Sequence, residues 1–298
     1  MNTKILALSI ALGVTACLPS FDDRPWLVDE ARVLAIRSTP AEAKPGEVVH
    51  YEALIADPDG LDATSVSWSF CLQPRTADER GAVTHDCAIG EALSATPNPA
   101  ALPMDACARF GPNSPPTEGD EPPRRPADPD PSGGYAIPIH AAASLAGDET
   151  MIDAFAKTRI RCDLVGATRP VFDDFEARYT NNENPALDGL VDVPASVAPG
   201  ASLDLRLRTA SGAAEAYVLY ELERGTLRDV RETLSVRWYV SDGVLERGLE
   251  RASELDAGAH TFENTWTAPS TPGLVRGWVV VADDRGGASW ASWELSVD

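Results

Sequence analysis

The residues with the most reactive side chains are five cysteines, Cys17, Cys71, Cys87, Cys107 and Cys162. A thiolate can attack a carbon or sulfur centre, ligate a metal or close a disulfide. No two of them show C-x-x-C spacing. His85 beside Cys87 is the one close His/Cys pair, so a thiolate metal centre has weak support. Carboxylates offer a second chemistry. Asp57, Asp59 and Asp62 place three acids within six residues, and Asp283-Asp284 form an adjacent pair. Calcium takes six to eight oxygens and acidic loops can supply them. The EF-hand pattern fails, because Gly60 stands at the fourth position instead of the sixth and no glutamate stands at the twelfth. Asp57-Pro58-Asp59-Gly60 equally reads as turn chemistry: proline fixes φ, aspartate caps its own backbone and glycine bends freely. His50, His85, His140 and His260 are scattered, and nothing in sequence marks one as a general base. G-x-S-x-G, H-E-x-x-H, the P-loop pattern and G-x-G-x-x-G are all absent. The expectation is a chain without catalysis, with calcium at Asp57, Asp59 and Asp62 as the one cofactor to weigh. Trp290 and Trp293 lie on opposite faces of one strand pattern. One of them could therefore stack on sugar or pack on a neighbouring domain.

Cys17 has a particular setting. Lys4 precedes a 12-residue run, Ile5 to Ala16, in which only Ser9 and Thr15 are polar. That is too short to cross a hydrocarbon core and suits the apolar region of a secretory signal. The run ends in Val14-Thr15-Ala16-Cys17, which resembles the lipobox of bacterial lipoproteins. The resemblance implies cleavage before Cys17, diacylation of its sulfur and acylation of the new N-terminus. Two or three chains would anchor the protein stably in a membrane. Leu18 stands where an aspartate commonly retains such proteins in the inner membrane, so the outer membrane is expected. In that oxidising compartment the other four cysteines are expected to form two disulfides, with three possible connectivities. Val66, Trp68 and Phe70 alternate with serines, which turns Cys71 towards the segment that follows. That parity favours Cys71–Cys87 and Cys107–Cys162.

Composition limits the partners. The 298 residues carry a net charge of -21, which opposes nucleic-acid binding and electrostatic docking on anionic lipid. With 44% hydrophobic residues the chain can fold into about two domains.

An internal repeat organises them. Pro40-Ala41-Glu42-Ala43-Lys44-Pro45-Gly46-Glu47 matches Pro194-Ala195-Ser196-Val197-Ala198-Pro199-Gly200-Ala201 in its two prolines, alanine and glycine. Each copy precedes an alternating strand pattern, Val49 to Ile55 and Leu203 to Leu207, and later a tryptophan in another, Trp68 and Trp238. Val275 to Ala282 is nearly continuous in apolar residues, as a strand covered on both faces should be. Residues 213–234 fit either a helix or an edge strand. The sequence therefore predicts an all-β chain of two β-sandwiches. Its expected parts are a signal peptide at 1–16, the lipidated cysteine and tether at 17–31, a first domain at 32–183 and a second at 184–298. Residues 97–138 hold 12 prolines, and the insert is placed at about 97–134 within the first domain. Asp57-Pro58-Asp59-Gly60 ahead of Val66-Ser67-Trp68, Trp238 to Gly243, and Val279 to Gly287 resemble tandem bacterial immunoglobulin-like domains of the PKD or cadherin-like kind. With the lipobox they also resemble lipoproteins of myxobacteria. That resemblance implies a fold and an envelope location, and a protein partner there is expected. A carbohydrate- or calcium-binding lipoprotein is the alternative, since such sandwiches host many roles.

Overall fold

The computed structural model describes residues 24–61, 63–76, 79–111, 134–147, 151–164, 166–221, 223–252 and 256–298. Cys17, the apolar run before it, Asp62 and most of the proline-rich insert lie outside these residues.

Eight strands build the first unit: β1 (Arg32–Thr39), β2 (Glu42–Ala43), β3 (Val48–Ala56), β4 (Ala63–Cys71), β5 (Leu93–Thr96), β6 (Ala100–Ala101), β7 (Gly134–Leu145) and β8 (Met151–Arg161). The sheet β1-β3-β6 faces the sheet β2-β8-β7-β4-β5. Between them Val49, Tyr51, Trp68, Phe70, Ile139 and Ile160 form one core. Pro138 sits inside β7, where a missing N–H would ordinarily break a ladder. The β4–β7 pairing ends at Phe70↔Ile139, the residue just after that proline, so Pro138 has no partner in β4.

Eleven strands build the second unit: β9 (Leu187–Val191), β10 (Ser196–Val197), β11 (Ser202–Thr209), β12 (Ala216–Glu221), β13 (Thr226–Arg231), β14 (Leu234–Val240), β15 (Val244–Leu245), β16 (Leu249–Ala252), β17 (Thr261–Thr267), β18 (Gly273–Asp283) and β19 (Ala288–Val297). The sheet β10-β19-β18-β14-β16 packs on β15-β17-β11-β9 around Leu205, Leu207, Trp238, Trp266 and Val279. The chain is therefore all-β in class, two sandwiches in tandem, with short helices α1 (His85–Ala88), α2 (Ala106–Phe110) and α3 (Arg169–Arg178) between strands. The ambiguous stretch is a hairpin: β12 and β13 pair from Ala216↔Arg231 to Glu221↔Thr226. Its aromatic and β-branched residues outweigh its alanines, because Val218 packs with Phe175 and Tyr179 of the α3 segment.

The repeat has one structural meaning in both copies. Glu42↔Arg159 and Ala43↔Ile160 pair β2 in parallel with the last strand of its sandwich. Ser196↔Ser296 and Val197↔Val297 do the same for β10. The glycine that follows has φ of 85° at Gly46 and 72° at Gly200, a left-handed turn that a side chain would strain. Disulfides join Cys71 to Cys87 and Cys107 to Cys162. The first lies with Val83, Leu93 and Phe155 in a small apolar cluster apart from the main core.

The second face of β18 explains its apolar run. Val275, Val279 and Val281 enter their own core, while Trp278 and Val280 meet Val28, Leu54 and Ala56. The two sandwiches thus lie side by side. Arg276 donates from Nη1 to the Pro58 carbonyl at 2.8 Å at one end, and Arg37 stacks over Trp290 at 4.4 Å midway. Asn184 donates from Nδ2 to the Ser38 carbonyl at 2.8 Å at the other end.

Part of the segment read as a tether belongs to this block. Val28 donates to the Val240 carbonyl at 2.8 Å, and Val240 donates to that of Trp26 at 3.0 Å. This continues the open side of β14 beyond its pairing with β16, which ends at Arg237. Trp26 packs on the second core and Val28 is fully buried between the sandwiches. Trp26→Ala is expected to lower stability by about 2 kcal/mol, a half-buried indole's share of a core aromatic deletion. A urea unfolding midpoint unchanged from the parent protein would refute that clamp.

Candidate functional site at the junction of the sandwiches

Where the chain crosses from one sandwich to the other, charged residues are buried together. Glu42 comes from β2 and Arg159 from β8. Tyr179 and Asn182 come from the crossing itself, Glu215 and Glu232 flank the β12–β13 hairpin, Asp283 closes β18 and Arg285 lies in the turn between β18 and β19. Glu42 opens β2, Glu215 and Glu232 sit just outside β12 and β13, and Asp283 closes β18, so most of the buried charge lies at strand ends. Glu42 and Asn182 are fully buried, and Glu232 and Arg285 nearly so.

The Tyr179 hydroxyl is the hub. It donates to Glu42 Oε2 at 2.7 Å and accepts from Arg159 Nη2 at 3.3 Å and Arg285 Nη1 at 3.2 Å. One donor and two lone pairs are thereby all used. Arg285 also donates from Nε to Glu232 at 2.6 Å, from Nη2 to Glu215 at 2.7 Å and from Nη1 to the Thr180 carbonyl at 2.9 Å. Its guanidinium lies 4.4 Å from the centre of the Tyr217 ring. Asp283 Oδ1 accepts from the backbone N–H of Arg285 and of Gly287, and Asn182 Nδ2 approaches the same carboxylate at 3.4 Å. Tyr179→Phe would remove a hydroxyl that bonds to both halves, to Glu42 and Arg159 of the first and to Arg285 of the second. A loss of about 2 kcal/mol is expected, from several bonds of which two are to charged guanidinium. Thermal melting would measure it, and a shift of less than a degree would contradict the hub.

Acids outnumber the cations here: Glu42, Glu215, Glu232 and Asp283 face Arg159 and Arg285. Burial pushes Glu232 up to about 7, helped by the nearby Asp283 charge and opposed by Arg285. Burial pushes Asp283 up to about 6, opposed by the N–H groups of Gly287 and Arg285. Burial likewise raises Glu215 and Tyr179. The arrangement ties the two sandwiches together, and burial disfavours the charged form of its carboxyls.

The residues singled out from sequence are dispersed. Asp57 is buried and its Oδ1 accepts from Leu61 N at 2.9 Å, closing its own turn. Asp59 lies on the exposed side of that turn, and Asp62 lies outside the described residues. Among the described residues no group of three His, Cys, Asp or Glu is placed to hold a metal. Trp293 is in the second core and Trp290 is covered by Arg37 of the first sandwich, so neither forms an open stacking platform. A shallow pocket of about 330 Å³ beside Cys107–Cys162 is lined by Lys44, Arg161, Phe172 and Glu176. Its Arg161 is already bonded to Glu176 at 2.6 Å.

Sequence reasoning missed the junction. Glu42 carried one usable signal: the repeat puts an exposed Ser196 at the equivalent place, so a charge there breaks the pattern.

No family model matches the chain, and no curated protein does. Among solved structures it is similar to the D00-D0 domain of intimin at 10% identity and a TM-score of 0.22, over 90% of this chain and 98% of that one. It is also similar to the fibronectin(III)-like modules of Clostridium thermocellum CbhA at 11% identity and a TM-score of 0.22, over 90% and 94%. Such loose likenesses carry no argument; the sandwich architecture rests on the strand order of this chain.

Proposed function

We propose that this chain is a non-catalytic module of the cell envelope, lipid-anchored through Cys17, which presents a rigid two-sandwich block to a protein partner. The observation that supports it most is the junction. A buried ionic network and a shared apolar face hold the two sandwiches in one orientation, which suits a spacer or assembly element. Outermost strands such as β9 and β16 are natural templates for pairing with another chain. The lipobox-like Val14 to Cys17 supports the location, and the absence of an aspartate after Cys17 favours the outer membrane.

Cross-linking in the native envelope tests this reading, with an affinity tag added after Asp298. A single abundant protein captured in constant ratio is the expected result. Recovery of the chain alone, with the tag fully accessible, would overturn the stable-assembly role.

A further inference from the structure

The two sandwiches have their strand ends aligned, and the N-terminal clamp sits at one end. Strand register defines that end. In the first sandwich it holds the close of β3 at Ala56, the Asp57–Gly60 turn, Leu61, the close of β7 at Leu145 and the start of β8 at Met151. In the second it holds Val240 at the close of β14, Val244, the start of β18 at Leu274 and the C-terminal Asp298. The Arg276–Pro58 bond brings the two together. The interdomain crossing, with Tyr179 and Arg285, lies at the opposite end.

The chain leaves the clamp at Arg24, seven residues after Cys17. An extended chain covers at most about 3.6 Å per residue, so an acylated Cys17 lies within about 25 Å of Arg24. Each sandwich is longer than that leash can wrap: β3 alone, nine residues, runs roughly 30 Å. Resting on the proposed anchoring at Cys17, we infer that the block stands on the bilayer by this end and presents the crossing end away from it. Side chains at the contact end fit a lipid surface. Leu61, Met151, Val244 and Leu274 are four of the exposed large apolar residues, and all belong to it. Asp59, Asp242 and Asp298 are exposed there too, so the headgroups it meets are zwitterionic and not anionic.

The test uses the acylated full chain in phosphatidylcholine vesicles that carry a trace of acceptor dye on the headgroups. A donor dye is attached through Leu274→Cys at the contact end or Val48→Cys at the far end, both exposed positions. Energy transfer at least twofold greater from position 274 than from position 48 is expected. With Trp26→Ala added, the difference should shrink while the acyl mass on Cys17 stays. Equal or reversed transfer with the acyl mass present would overturn the standing orientation and leave the anchor intact. Absence of acyl mass on Cys17 would overturn both.

Discussion

Arg285→Met is expected to cost about 3–5 kcal/mol, the range for removing one partner of a buried ion pair. Arg285 is 4% exposed, and its guanidinium is the common partner of Glu232, Glu215, the Tyr179 hydroxyl and the Thr180 carbonyl. Methionine keeps an unbranched apolar stem but is shorter and its side chain supplies no donor. Glu232 and Asp283 would then lie close together with no cation of their own, in a site that already disfavours their charge. One or both would take a proton, and the Thr180 carbonyl would lose its bond. Arg224 supplies the comparison. It bonds Glu221 at 2.9 Å in the open, where such pairs contribute little, so Arg224→Met should stay within about 0.5 kcal/mol. Urea unfolding followed by tryptophan fluorescence separates the two. A loss below about 1 kcal/mol for Arg285→Met would contradict the junction as drawn.

Stability should fall between pH 5 and pH 8, by roughly 3 kcal/mol. Glu232 has an ordinary value of 4.5 and stands at about 7 in the folded chain; Asp283 moves from 3.8 to about 6. Between those limits the folded state holds a proton that the unfolded state has released. The folded state is then favoured at lower pH, and the advantage is lost as pH rises through the folded values. The stabilisation is complete only below the unfolded values, and the two groups are coupled through their mutual repulsion, so their effects do not simply add. Asp283→Asn examines the cause. Its Oδ1 can keep the bonds from the Arg285 and Gly287 backbone. The new amide can face Asn182, whose Oδ1 meets no hydrogen-bond partner among the described residues. We expect this variant to be more stable than the parent by about 1–2 kcal/mol at pH 8, with a flatter pH dependence, from removing one buried charge of an acid excess. Melting temperatures at pH 5, 6, 7 and 8 would show it; a parent protein that gains stability with rising pH would contradict the assignment.

The elements of the fold follow from local rules, and so they were legible. The Pro-Ala…Pro-Gly repeat marks the same parallel β2 and β10 pairing in each sandwich. The alternation of Leu203, Leu205 and Leu207 gives β11, and the nearly continuous apolar run Val275–Ala282 implies cover on both faces of β18. What supplies the second cover could not be read. Val28, Leu54 and Ala56 lie more than 200 residues from Trp278. The junction was hidden for the same reason. Asp283 and Arg285 read as a hairpin turn, which they form, but their partners Asn182, Glu232 and Tyr179 lie about 50 to 105 residues away. Surface acids and buried ones look alike in so acidic a chain. Trp26 fell in a segment with two nearby prolines, and only the unpaired side of β14 makes a place for it.

Calorimetric unfolding of the intact chain tests most directly whether the two sandwiches form one block. The account requires a single endotherm whose calorimetric and van't Hoff enthalpies agree, splitting or broadening in Arg285→Met. Two separate endotherms in the parent protein, both insensitive to that substitution, would show that the sandwiches unfold independently and contradict a rigid module.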